Sequence, residues 1–360
     1  MAAAAMRSFS VVGSGIHRFL GLTGRCLDLE CITSIRRCSN TSYTTYNDRD
    51  PAPLFFEDEV QVVLQRVTGM DIDRIFRRRQ QEKKSTPPKY QFLTNEEVDE
   101  YMSEARVKAE SLLQMPPVLK ERQPINNILE TNTSLQAHHT DKYVFADITF
   151  GVSDRNRTIL NRTILVRETD GTLRSAWWEE RDRINQTYNP RPGRNVVMPK
   201  LFNDENLKSA LARQEYEFVL DRVCAQCEPD SSVYQRVCVC VYDALDTHHH
   251  HNTLYSTRHY GPMCFYLAWN KRIDSLLVSL IQEEKINTAS DIVYLYQLIH
   301  KDCKSAKLNI EHTQHVEFIK GYIEEDCLQR AQVQLALQCY QDLQHQRQQH
   351  QHNVTNAHGL

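Results

Sequence analysis

Thr163-Ile164-Leu165-Val166-Arg167-Glu168, then Thr169-Asp170-Gly171, then Thr172-Leu173-Arg174-Ser175-Ala176 is the stretch that decides the fold class. Residues suited to strands flank Asp170-Gly171, and glycine reaches the positive φ that a tight hairpin turn needs. Upstream, Tyr143-Val144-Phe145-Ala146-Asp147-Ile148-Thr149-Phe150 is equally rich in β-branched and aromatic residues and reads as another strand. A small antiparallel sheet of three strands is expected, followed by a helix from Trp177 to about Tyr188. The pentapeptide Asn-Arg-Thr-Ile-Leu occurs twice, at Asn156–Leu160 and Asn161–Leu165. It is expected to lengthen a hairpin loop, and a shift by an odd number of residues would exchange the faces of the strand.

Outward from the hairpin the period changes to that of helices. Glu57 to Thr68 carries a stripe of Val60, Val63, Leu64 and Val67 with Gly69 as its stop. Thr94 and Glu97 form a capping-box signature that opens a helix to about Gln114, before Met115-Pro116-Pro117. Tyr188-Asn189-Pro190-Arg191-Pro192-Gly193-Arg194 reads as a linker or an ordered loop. Beyond Asp204 nearly everything reads as helix: Glu205 to Cys227, Ser231 to Ala244, Gly261 to Asn270, Ile273 to Lys285, Thr288 to His300, and a last one from about Asn309 to Gln344. Short turns such as Glu228-Pro229-Asp230 suggest antiparallel helix hairpins. No fixed-period repeat points to a regular solenoid. The fold class is α+β: a small antiparallel sheet with helices over residues 57–200, and an all-helical region over 201–345. A linker at 39–56 should precede them, and a Gln/His-rich tail at 346–360 should fray.

Through Cys38 the chain has five arginines (Arg7, Arg18, Arg25, Arg36, Arg37) and two acids, Asp28 and Glu30. Small, hydroxylated and apolar residues fill the gaps, which suits a basic amphipathic presequence for mitochondrial import, ending near Arg36-Arg37-Cys38-Ser39. Removing residues 1–38 leaves 38 basic and 44 acidic residues, a net charge of −6. Nucleic-acid affinity comes largely from neutralised phosphates. An acidic chain can therefore touch RNA only through local patches, and most of its contact surface should face proteins. No run of eighteen apolar residues occurs, so no membrane-spanning helix is expected. Seven of the eleven glycines serve everything beyond residue 24, which argues against folds built on several glycine-rich phosphate loops.

Catalytic motifs are not found: no Gly-x-Ser-x-Gly elbow, P-loop, His-Glu-x-x-His or dinucleotide fingerprint. Cys224, Cys227, Cys238 and Cys240, followed by His248 to His251, could suggest zinc. Two cysteines two apart on a helix diverge by about 200°, and buried free cysteine is a common small core residue. The four histidines are expected in a solvated helix-joining loop. Neither a cofactor nor a metal is expected. RNA contact has a better candidate in Arg74, Arg77, Arg78, Arg79, Lys83, Lys84 and Lys89, a basic segment at 74–89 followed by Tyr90 and Phe92. Arginine forks suit phosphate oxygens, although a solvated charged helix reads equally well. Arg191 and Arg194, with Arg181, Arg183 and Lys200, make a weaker second patch. At least one indole of Trp177-Trp178 should face solvent or a partner.

Several ungapped runs also carry a resemblance. They are Met115-Pro116-Pro117-Val118-Leu119, Pro124-Ile125-Asn126, Lys142-Tyr143-Val144-Phe145 before Asp147-Ile148, Val166-Arg167-Glu168 and Gly171-Thr172-Leu173-Arg174. Trp178-Glu179-Glu180-Arg181-Asp182-Arg183, Glu228-Pro229-Asp230-Ser231, Ser256-Thr257-Arg258 and Lys271-Arg272-Ile273-Asp274 continue it. Over roughly residues 55 to 345 the chain resembles the family of the twenty-second protein of the mitochondrial small ribosomal subunit. The resemblance implies a mitochondria-specific structural protein in the lower body of that subunit, in the matrix. It would contact other small-subunit ribosomal proteins and the small-subunit rRNA, and support assembly and translation. It implies no catalytic or cofactor residues. The presequence, the repeated pentapeptide, the cysteines at 224–240, the histidine run and the polar tail depart from the family pattern. A zinc-dependent RNA-binding module, or an adaptor of a matrix RNA-modifying enzyme, are the alternatives.

Overall fold

The computed structural model describes residues 49–76, 90–136, 142–147, 162–308 and 312–358. The presequence, Arg77, Arg78, Arg79, Lys83, Lys84, Lys89, Ile148 to Phe150 and the first copy of the pentapeptide lie outside the described residues.

The hairpin forms where expected. Strands β3 (Ile164–Arg167) and β4 (Thr172–Ser175) pair antiparallel, Val166 opposite Arg174. Between them Gly171 takes φ 86°, and its N–H donates to Glu168 O at 3.1 Å. A Cβ on Gly171 would stand 2.1 Å from the Asn132 carbonyl oxygen, so this position excludes every other residue. Strand β2 (Tyr143–Ala146) pairs with β3 as expected. A fourth strand, β1 (Ile128–Thr131), extends the sheet to the order β1-β4-β3-β2, with a bulge between Ile128 and Glu130. The expectation of three strands is thus corrected to four. All four β1 residues are exposed, so no alternation of buried and exposed positions announced it.

One face of the sheet is covered by the helix that follows it, Trp178–Tyr188. Ile164, Val166 and Ala176 are buried there, with Ala146 and Ile184 packed against them. This is a small core.

The helices number thirteen among the described residues: α1 (Ala52–Phe55), α2 (Asp58–Thr68), α3 (Ile72–Phe76), α4 (Asn95–Leu112), α5 (Trp178–Tyr188), α6 (Asp204–Ala212), α7 (Tyr216–Gln226), α8 (Ser232–Thr247), α9 (Tyr260–Trp269), α10 (Asp274–Gln282), α11 (Ile286–Ile299), α12 (His315–Glu325) and α13 (Arg330–His358). Helix α2 buries its four stripe residues, none more than 2% exposed. It packs not on the sheet but on α9 and α11, where Arg66 pairs with Asp291 at 2.8 Å. The end of the expected linker is drawn in as well. Phe55 is buried and meets Phe265 edge-on at 5.2 Å. Helix α9 is buried from Tyr260 through Ala268, as a helix apolar on every side must be. It is the centre of the helical body.

Two long helices expected from the sequence are each broken in two. Glu205 to Cys227 divides into α6 and α7 at Gln214, which takes φ 60°. The Glu215 N–H donates back to Ala210 O at 3.2 Å, closing the end of α6, and Tyr216 next in line is buried. The same closure recurs at His250 to Leu245, Arg272 to Leu267 and Lys285 to Leu280, behind His249, Lys271 and Glu284, all at positive φ. None of these four positions is a glycine, so the breaks carry no composition signal. Asn309 to Gln344 likewise divides, into α12 and α13. The buried Asp274 carboxylate accepts the Leu328 and Gln329 N–H groups, each at 2.9 Å, just before α13. It also accepts the Tyr322 hydroxyl at 2.7 Å. Helix α13 then continues to His358, through the segment expected to fray.

Candidate ribonucleoprotein contact surfaces

The cations singled out in the sequence meet different fates. Arg74 sits on α3, and its guanidinium donates to the carbonyls of Asn252, at 3.0 Å, and Thr253. It ties α3 to the turn after α8. Arg191 and Arg194 both pair with the half-buried Glu228, at 2.6 and 3.0 Å. Their segment is an ordered loop, not a linker. The Gln186 side chain accepts the Arg191 N–H at 3.1 Å and donates to Arg194 O at 2.9 Å. Gln226 holds Asn195 reciprocally, its amide donating to Asn195 O at 2.8 Å and its oxygen accepting the Asn195 N–H at 2.9 Å. Arg181 is buried and donates to Arg162 O. Of the weaker patch, Arg183 and Lys200 remain exposed, and Arg191 in part.

The two tryptophans separate as their adjacency requires. Trp178 is half-buried under the Arg122 guanidinium, 4.3 Å from the ring centre, and its indole N–H donates to Gln123 O at 2.7 Å. Arg122 also reaches Asp182 at 2.8 Å, and its N–H donates to Asp230 O at 3.0 Å. That cluster joins the sheet region to the start of α8. Trp177 stays 48% exposed. It lies on Arg174, 3.8 Å away, which is fixed by the Glu168 and Glu180 carboxylates. The bonds from Arg174 hold the Glu180 carboxyl below the usual carboxylate range. The indole is therefore a fixed half-open plate.

The far face of the sheet was not foreseen. Register places Tyr143 beside Arg167 and Phe145 beside Leu165, on the side opposite the buried Ile164 and Val166. Tyr143 is 51% and Phe145 54% exposed. The period of two along β2 puts these two rings on one face. Which face would be left open needed the position of α5.

The cysteines gather at the α7–α8 hairpin as free thiols. Burial pushes the Cys227 thiol up to about 11 and Cys238 well above its ordinary value. Thiolates, the form that binds zinc, are thus disfavoured there. Among the described residues no group of three or more His, Cys, Asp or Glu is placed to hold a metal ion. The histidine run is not wholly solvated. His251 is buried, its ring between Asp246 and Ser279, each 3.4 Å away. Its neighbour Asp246 anchors an ion network. Burial raises that carboxyl, yet bonds from His251, Ser275 and Arg272 hold it down at about 2.

Residues 53–301 match the family described as Mitochondrial 28S ribosomal protein S22, which sets the chain in the class of ribosomal proteins and not among enzymes. Over 292 residues it is 40% identical to Small ribosomal subunit protein mS22 of Mus musculus, an overlap of 81% of this chain and 79% of the mouse protein. Over 291 residues it is 39% identical to the protein of the same name from Bos taurus, with the same coverage of 81% and 79%. The chain belongs to the mitochondrial 28S ribosomal protein S22 family. It is a structural constituent of the small subunit of the mitochondrial ribosome, in the matrix.

Proposed function

We propose that this protein joins neighbouring small-subunit ribosomal proteins to one another and to the small-subunit rRNA, and so supports assembly of the subunit and translation in the organelle. The observation that carries the reading is the open outer face of the sheet, with Tyr143 and Phe145 each about half exposed. An apolar patch left bare on a protein of a large assembly marks a surface for a neighbour. The acidic balance supports the same division of labour, most surface meeting protein and a few basic segments meeting phosphate. Residues 1–38 serve as the import presequence in this reading.

The rRNA contact is assigned to Arg77, Arg78, Arg79, Lys83, Lys84 and Lys89. Arg74 and Arg194 act as internal ties, while the exposed Arg183 and Lys200, with the partly exposed Arg191, make a minor addition to the rRNA contact. Sedimentation of a mitochondrial lysate tests the whole: the protein should travel with the small subunit. Replacing Arg77, Arg78 and Arg79 by alanine should weaken incorporation most at low salt and make its salt dependence shallower, because fewer counterions are released. Incorporation unchanged at every salt concentration would show those arginines to be merely solvated.

A further inference from the structure

Helix α4 presents an apolar stripe that, among the described residues, is covered only at one end. Val98, Tyr101, Met102 and Ala105 recur at intervals of three and four residues and so share one side of the helix. Val98 is 42%, Tyr101 56% and Met102 52% exposed, whereas Ala109, further along the same side, is fully buried. Packing against α3 accounts for the covered end, where Lys108 stands 5.8 Å from the Phe76 ring. Ahead of the helix, Phe92 and Leu93 are also exposed. The helix does not await a partner to form. Its capping box is complete, Thr94 N–H donating to the Glu97 carboxylate at 2.8 Å and Glu97 N–H donating to the Thr94 hydroxyl at 3.4 Å. Docking a helix already made loses little conformational entropy.

Charge selects the occupant. Six carboxylates (Glu96, Glu97, Asp99, Glu100, Glu104, Glu110) stand on α4 against Arg106 and Lys108, and the first ten residues hold five of them with no base. At about 100° per residue, Glu97 and Glu104 border one edge of the stripe and Asp99 the other. A rim of that sign repels RNA phosphates and attracts lysine and arginine. We infer that the amino-terminal half of α4 is a protein-docking helix that seats Val98, Tyr101 and Met102 in an apolar groove of a basic neighbouring protein of the small subunit, with its carboxylates against the basic rim of that groove. This rests on the ribosomal placement proposed above.

Two experiments on the full-length protein decide it. A benzophenone amino acid substituted for Tyr101, irradiated in purified small subunits, should crosslink to one ribosomal protein beside a lysine- or arginine-rich stretch. A crosslink to rRNA or to an acidic protein, or none in subunits that contain the protein, overturns the inference. In the second, purified variants rebind small subunits depleted of this protein. Tyr101→Ser with Met102→Ser should weaken rebinding by about tenfold or more, while Tyr101→Phe with Met102→Leu leaves it unchanged. Glu97→Gln with Asp99→Asn and Glu104→Gln should weaken it at low salt and lose that difference at high salt. An unchanged unfolding midpoint shows that each variant is folded, since these positions are exposed. Undiminished rebinding of the double serine variant sinks the docking helix. Failure of the ribosomal placement looks different: the wild-type protein itself would be missing from the small-subunit peak.

Discussion

The helical body from α6 onward and the sheet with α4 obey different economies of surface. In the body, α9 is buried on every side and charges are closed into networks such as Asp246 with His251, Ser275 and Arg272. In the sheet region, two aromatic rings of β2 and the stripe of α4 stay open, over a core of three buried side chains. The difference teaches that the two regions have different sources of order. The body is held by its own interior, while the sheet and α4 leave apolar side chains exposed, the faces proposed above to meet neighbours.

That contrast can be broken most readily in the body. Leu277 on α10 is fully buried, and Leu277→Ala should lower the stability of the free protein by about 2–5 kcal/mol in chemical unfolding. A loss below about 1 kcal/mol would mean that the body is loosely packed. Next comes Asp274, whose carboxylate serves three donors. Asp274→Ala leaves them unpaired and should cost about 3 kcal/mol, with faster hydrogen exchange at the Leu328 and Gln329 amides. Unaltered exchange there would refute its role in setting the start of α13.

Asp246 gives a smaller and pH-dependent effect. Its folded pKa of about 2 lies below the ordinary carboxylate value, so its stabilisation is complete above about pH 4 and is lost as pH falls towards 2. Asp246→Asn should therefore cost about 2 kcal/mol at pH 7 and flatten the acid limb of the stability curve. An acid limb identical to that of the wild type would show that the network does not act through this proton. Smallest is Phe145→Ser on the open face, which should change the stability of the free protein by less than about 0.5 kcal/mol. The same variant should incorporate poorly into the small subunit. A large stability loss, or normal incorporation, would erase the distinction between the two regions.

Much of the fold was legible before any coordinates. Asp170-Gly171 marked the hairpin because glycine readily takes the positive φ the turn needs; that a Cβ there would also strike Asn132 emerged only in the fold. Thr94 with Glu97, and the valine stripe before Gly69, marked helices by local hydrogen bonding and spacing. The breaks at Gln214 and before α13 were hidden because their causes are distant: burial of Tyr216 in one case, the Asp274 carboxylate in the other. Strand β1 was hidden because all four of its residues are exposed and its ladder runs to β4, more than forty residues away. Of the candidate cations, the patch at 74–89 was visible as a cluster, yet nothing in it announced that Arg74 would be taken by Asn252 and Thr253. Glu228, which engages Arg191 and Arg194, could not be singled out among so many acids.

By itself the order of residues determined the fold class, most of the elements, the acidic balance and the family runs, because these rest on spacing, turn chemistry and charge counted along the chain. Only the tertiary structure decided which cations are spent internally and which apolar faces stay bare. The physical reason is that ion pairs and burial are made between residues brought together by folding. Asp291 lies 225 positions from the Arg66 it holds, and no local pattern encodes a partner that far away.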